Sequence, residues 1–161
     1  MIDIRLADPA APEMLPLLEA HLAHSKAHSP DGSDHALTPQ DMREQGMQFW
    51  AVYDGDSPVA CGGLMALPDG TAEVKSVHVA QALRGRGVAK RLMDHLAEEA
   101  RAVGYKALVL ETGSSAHPGF EAARALYEAL GYEYCAPFGE YVEDPASVFM
   151  RLPLRAEQSA A

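Results

Sequence analysis

Ile2, Ile4 and Leu6 alternate with Asp3 and Arg5, the period-two pattern of a strand with one buried face, and Pro9 and Pro12 end it. Leu15, Leu18 and Leu22 then recur at helical spacing. A helix is therefore expected from 12 to about 25, with Pro12 in the first turn, where a missing N–H costs nothing. Residues 27–36 are rich in Ser, Pro, Asp and Gly and read as a loop. Thr38-Pro39-Gln40-Asp41 reads as an N-cap with Pro at the first helical position, opening a short helix that closes near Gly46.

Apolar runs over 48–53 and 58–67 flank Asp54-Gly55-Asp56, whose turn chemistry predicts a hairpin. A third strand, 71–79, follows Pro68-Asp69-Gly70 and alternates only partly, as a strand in a buried central position does. The clearest helical pattern spans 85–103. Val88, Leu92 and Leu96 form one row, Ala89, Met93, Ala97 and Ala100 the next, and Gly104 stands where a left-handed C-terminal cap belongs. An apolar strand over 107–110 precedes a helix from about 120 to 130, with core row Ala123, Leu126 and Leu130, closed by Gly131. Strands over 132–136 and 147–154 complete the pattern. Strands that alternate with helices need crossovers, whereas the central hairpin is antiparallel, so the class is α/β (α+β) with a mixed sheet.

A length of 161 residues suits one domain, here 1–154, with 155–161 a frayed tail that has nothing to bury. Thirteen Lys+Arg against 23 Asp+Glu leave a net charge of -10, a field that repels phosphate backbones and argues against nucleic acid. No apolar run approaches the roughly 20 residues of a membrane helix. Cys61 and Cys135 lack CxxC spacing and no signal-peptide pattern opens the chain, so a cytoplasmic location is expected.

The segment with most chemical information is Arg84-Gly85-Arg86-Gly87-Val88-Ala89, between a strand and the start of an amphipathic helix. Glycines admit a ligand close to the backbone, and the unpaired N–H groups of a first helical turn attract an anion such as a pyrophosphate. A P-loop (G-x-x-x-x-G-K-S/T) is absent. The dinucleotide fingerprint G-x-G-x-x-G fails at its third glycine, where Lys90 stands.

Arg84 to Ala89 fits the pattern Q/R-x-x-G-x-G/A and resembles the coenzyme A signature of the GNAT N-acetyltransferase superfamily, with Val77-His78-Val79 where that family's preceding strand ends. Downstream, Leu126-Tyr127-Glu128-Ala129-Leu130-Gly131-Tyr132 is similar to its second signature. Leu110-Glu111-Thr112-Gly113, Phe138-Gly139-Glu140-Tyr141 and the segment 144–150 resemble a branch of small bacterial members. The resemblance implies the GNAT fold: a mixed, mostly antiparallel sheet of about seven strands, splayed at the middle and flanked by about four helices. It also implies transfer of an acetyl group from acetyl-CoA to a primary amine, small-molecule or protein, by direct attack in a ternary complex, and by analogy a possible homodimer.

The resemblance further assigns roles. The N–H groups of Gly85, Arg86, Gly87, Val88, Ala89 and Lys90 hold the pyrophosphate, and the main chain of Val77, His78 and Val79 pairs with the pantetheine arm. Arg84, Arg86 and Lys90 are either phosphate-binding or solvated cations. Tyr127 contacts the coenzyme and is the acid that protonates the departing thiolate, or else a core tyrosine. Glu73, eleven residues before Arg84, is the candidate base, or else a surface acid paired with Lys75; Glu111 is its rival. Phe120 stands where many relatives carry a coenzyme-contacting Asn. No metal is expected: His21, His24 and His28 share a helical face or its continuation, but nothing supplies further ligands. Two other classes stay open from the sequence, a non-catalytic acetyl-CoA sensor and a nucleotide-binding Rossmann protein.

Overall fold

The computed structural model of the chain describes residues 2–27, 38–116 and 118–154. Among these, strands β1 (Ile2–Leu6), β2 (Gln48–Asp54), β3 (Ser57–Ala66), β4 (Ala72–Val79), β5 (Ala107–Gly113), β6 (Glu133–Cys135) and β7 (Ser147–Pro153) form one sheet in the order β1-β2-β3-β4-β5-β7-β6. The helices are α1 (Leu15–Ala27), α2 (Pro39–Glu44), α3 (Val88–Val103) and α4 (Glu121–Ala129). The order of elements is the one read from the sequence; the expected loop beyond Ala27 and the tail 155–161 lie outside the described residues.

Both faces of the sheet are covered, which explains why β2 reads as an unbroken apolar run. Phe49, Ala51 and Tyr53 pack with Met14, Leu17, Leu18 and Met42 on the α1–α2 side. Trp50 and Val52 pack on the other side with Val88, Leu92, Met93 and Leu96 of α3. A strand buried on both faces has no polar face to show. α2 begins as expected: the Thr38 hydroxyl accepts from the Asp41 N–H at 3.1 Å, and the Asp41 carboxylate accepts from the Thr38 N–H.

Three details depart from the periodicity. Leu6, read as a buried strand position, is 70% exposed, because β1 is an edge strand and its end leaves the core. Around the start of α1 the buried residues are Met14, in the turn just before the helix, and Leu17 and Leu18 within it, while Leu15 faces outward, so the packed row is displaced from the one expected. In α4 the fully buried residue is Tyr127; Ala123, Leu126 and Leu130 pack beside it partly buried.

All strand pairs are antiparallel except β4 with β5, whose parallel join requires the α3 crossover. This join is short: only Ala72 with Leu108 and Glu73 with Val109 are paired. A bulge lies just beyond, since Cys61 faces His78 while Gly63 faces Lys75, giving β4 one extra residue. Ser76 takes it up in the left-handed region at φ 61°. Bulges bend the strand that carries them. Past Glu73, β4 and β5 therefore part, and the sheet opens into a cleft.

Candidate active site

The cleft has a volume of about 520 Å³ and runs between the separated ends of β4 and β5, floored at one end by the start of α3 and walled by α4. Of the residues singled out in the sequence, Glu73, Val77, His78, Val79, Arg84, Gly85, Gly87, Val88, Ala89, Lys90, Glu111 and Tyr127 all line it; Arg86 does not.

At the α3 end, Gly85 and Gly87 have φ of 80° and 78°, the left-handed region that glycine enters without a Cβ penalty. Helix α3 starts at Val88 rather than at 85, because Gly87 in this conformation is its N-cap. The helix's first backbone bond runs from the Arg91 N–H to the Gly87 carbonyl at 3.1 Å, so the N–H groups of Val88, Ala89 and Lys90 find no acceptor within the helix. Nothing lies within 4 Å of a Cβ built on Gly85 or Gly87, so the cradle is open. The neighbouring cations are engaged elsewhere: Arg84 Nε donates to the Val79 carbonyl at 3.1 Å, and Lys90 pairs with Asp94 at 2.7 Å.

At the other end, Glu73 is buried at 7% exposure. Its Oε2 accepts from the Tyr141 hydroxyl at 2.6 Å and from Lys75 Nζ at 3.2 Å, and Lys75 Nζ also donates to the Tyr141 hydroxyl at 3.0 Å. The pairing of Glu73 with Lys75 is therefore real, but it lies inside the cleft, not on the surface. Oε1 of Glu73 makes no hydrogen bond among the described residues. Glu111, across the cleft on β5, accepts from the Ser147 hydroxyl at 2.5 Å. Each carboxylate is thus held by one hydroxyl from the segment that joins β6 to β7 or from the first residue of β7.

Tyr127 is 8% exposed, with its ring tilted 5.8 Å from that of Tyr132, and its hydroxyl makes no hydrogen bond among the described residues. Burial, reinforced by the negative charge of Glu111, pushes its phenol up to about 12. His78 is buried with its ring edge-on to His21 at 5.3 Å. His24's side chain and all of His28 lie outside the described residues, and among those described no three His, Cys, Asp or Glu side chains gather as a metal site. Cys61 is fully buried and its thiol is pushed up to about 12 by that burial.

Sequence reasoning missed Tyr141 and Ser147, which line the cleft, and Arg124, which braces its wall. Tyr141 and Ser147 stand in two of the three segments that resemble the bacterial branch, which marked their place without their role. Arg124 Nη1 donates to the Gly113 and Ser114 carbonyls at 2.7 and 2.8 Å, tying α4 to the end of β5. Phe120 lies against Gly113, where a Cβ would come within 2.2 Å of the ring, so its ring forms an apolar wall of the cleft.

Comparison with known proteins agrees with this geometry. The model of the Acetyltransferase (GNAT) family matches residues 15–132. The chain is 41% identical to the "Uncharacterized N-acetyltransferase YsnE" of Bacillus subtilis (strain 168), covering 91% of this chain and 96% of that one. It is 35% identical to the "Uncharacterized N-acetyltransferase YedL" of Escherichia coli (strain K12), covering 96% of each. Among solved structures, a putative acyl-CoA N-acyltransferase from Klebsiella pneumoniae superposes with a TM-score of 0.77 at 31% identity, covering 96% of this chain and 98% of that one.

Proposed function

This chain belongs to the GNAT acetyltransferase family, and from that premise we propose that it transfers the acetyl group of acetyl-CoA to a primary amine by direct attack in a ternary complex. The observation that carries the reading is that one cleft holds an open N–H cradle at one end and, at the other, the buried Glu73 carboxylate, the half-buried Glu111 and the Tyr127 phenol. The cradle fits a pyrophosphate, because its donors are backbone groups that the helix leaves without acceptors. The thioester is the activated acyl donor. Val77, His78 and Val79 offer main chain to an extended arm as a neighbouring strand would, and an N–H near Val79 polarises the thioester carbonyl.

An alkylamine is protonated at neutral pH and must lose a proton before it attacks. Glu73 takes that proton, and Oε1 is the atom placed to do so, since Oε2 is occupied by Tyr141 and Lys75. The C–N bond forms, the C–S bond breaks, Tyr127 gives its proton to the departing sulfur, and the second proton that the nitrogen loses as the amide forms returns Tyr127 to its phenol form. A phenol lifted to about 12 stays protonated near neutral pH and so has a proton to give. A cysteine-linked acyl-enzyme is disfavoured, because the Cys61 thiol is buried and held protonated.

Calorimetry with acetyl-CoA, followed by thiol release with amines, tests the reading: tight binding with amine-dependent release is expected. Glu73→Gln keeps the shape and removes proton acceptance, so kcat/KM should fall about 10²-fold or more with coenzyme affinity retained. Glu111→Gln should cost much less. Equal losses, or none, would remove Glu73 from the role of base.

A further inference from the structure

Glu73 and Lys75 stand two residues apart on one strand, both inside the cleft, with side chains only 9% and 13% exposed. Burying one charge is costly, and the partner offsets that cost. The consequence for an acceptor is specific. A polyamine or other purely cationic acceptor meets a carboxylate whose charge is already balanced by an ammonium 3.2 Å away. Its own ammonium would compete with Lys75 for Glu73 and be repelled by it.

The ammonium of Lys75 has three N–H groups. One goes to Glu73 Oε2 and one to the Tyr141 hydroxyl. The Tyr141 hydroxyl has no proton to spare, since its own goes to Glu73 Oε2. Lys75 is thus left with one donor, and Glu73 with one unbonded oxygen, Oε1. A donor and an acceptor of opposite charge, side by side in a pocket, complement a ligand that carries both an amine and a carboxylate.

We propose that the acceptor is a zwitterionic amine of the amino-acid class, its carboxylate taken by Lys75 and its amine presented to Glu73. The inference rests on the reading of Glu73 as the group beside the acceptor amine. Tyr141 acts through both partners: it fixes the carboxylate and the ammonium at once, and so sets the spacing at which the two ends of the acceptor are read.

The test uses the full chain with acetyl-CoA and follows thiol release with the common amino acids, their amides and spermidine. The amide keeps the amine and side chain but loses the carboxylate. A charge-assisted hydrogen bond of this kind should raise kcat/KM for the acid over its amide about 10- to 100-fold. Lys75→Met should collapse that ratio toward one with acetyl-CoA affinity retained, and Lys75→Arg should restore most of it. Spermidine or the amides turned over as well as the acids by the wild type would overturn the proposal, without need of any variant. So would a Lys75→Met enzyme that keeps the ratio, or acetylation of some other amine with no amino acid accepted. Failure to bind acetyl-CoA at all would instead overturn the catalytic reading on which the proposal stands.

Discussion

Tyr127 combines two properties that compete in most side chains: it is buried among core residues, yet its hydroxyl faces a cleft and bonds to no described neighbour. Removing the oxygen therefore leaves packing intact and opens no unsatisfied partner. Tyr127→Phe should shift the melting temperature little, while kcat falls about 10²–10⁴-fold, the usual cost of losing a positioned general acid. Single-turnover thiol release together with a melting curve checks this; a collapsed melting temperature with unchanged kcat would make the residue a structural tyrosine. Tyr127 was legible in the sequence because its whole motif is local. Tyr141 was not, because its contact with Glu73 joins residues 68 apart, and no local pattern marks a hydroxyl that reaches another strand. Glu73 and Lys75 were legible as a pair but not as a buried one, since a strand whose faces are both covered gives no sign of which face opens into a cleft.

At the scale of elements, the α3 start and the parting of β4 from β5 together make the site. The first was readable: glycines between a strand and an amphipathic helix announce a ligand-facing turn. The second was not readable from the residues, because the run Ala72 to Val79 contains no glycine or proline to announce the extra residue that Ser76 accommodates at positive φ. Gly87→Glu tests the cradle. A Cβ there meets nothing within 4 Å, so the fold should persist with a modest strain of about 1–2 kcal/mol from φ 78°. The carboxylate, however, would stand where an anion must sit, beside the positive end of α3. Gly87→Asn carries the strain and a side chain without the charge, so calorimetry should find acetyl-CoA binding lost in Gly87→Glu and weakened less in Gly87→Asn. Wild-type affinity in the folded Gly87→Glu variant would place the phosphates elsewhere.

For the molecule as a whole, the groups that burial perturbs most are weak acids kept neutral, and by linkage this predicts a fold that weakens at alkaline pH. The Cys61 thiol rises from 9.0 to about 12 and the Tyr127 phenol from 10.0 to about 12, both first through burial. Tyr132 and Tyr141 are raised by the same cause. In each case the unfolded chain loses its proton at a lower pH than the folded one. The stability these groups contribute is whole below the unfolded value, and it declines as pH rises through the interval up to the folded value. Urea midpoints should therefore hold near pH 8 and fall steadily from about pH 9 to 12, each group adding at most about 1.4 kcal/mol per pH unit within its interval. Cys61→Ala, whatever it costs in packing, should delay the onset of that fall toward pH 10, where the phenols begin to ionise. The net charge of -10 offers a competing cause, since added negative charge strains a compact acidic molecule. Salt separates the two: about 0.5 M salt shortens the reach of surface repulsion to a few ångströms, but it does not hydrate a buried thiol. A decline that persists in high salt and starts later in Cys61→Ala belongs to the buried acids. One that salt abolishes belongs to the surface, and would mean that the core around Cys61 and the tyrosines admits water.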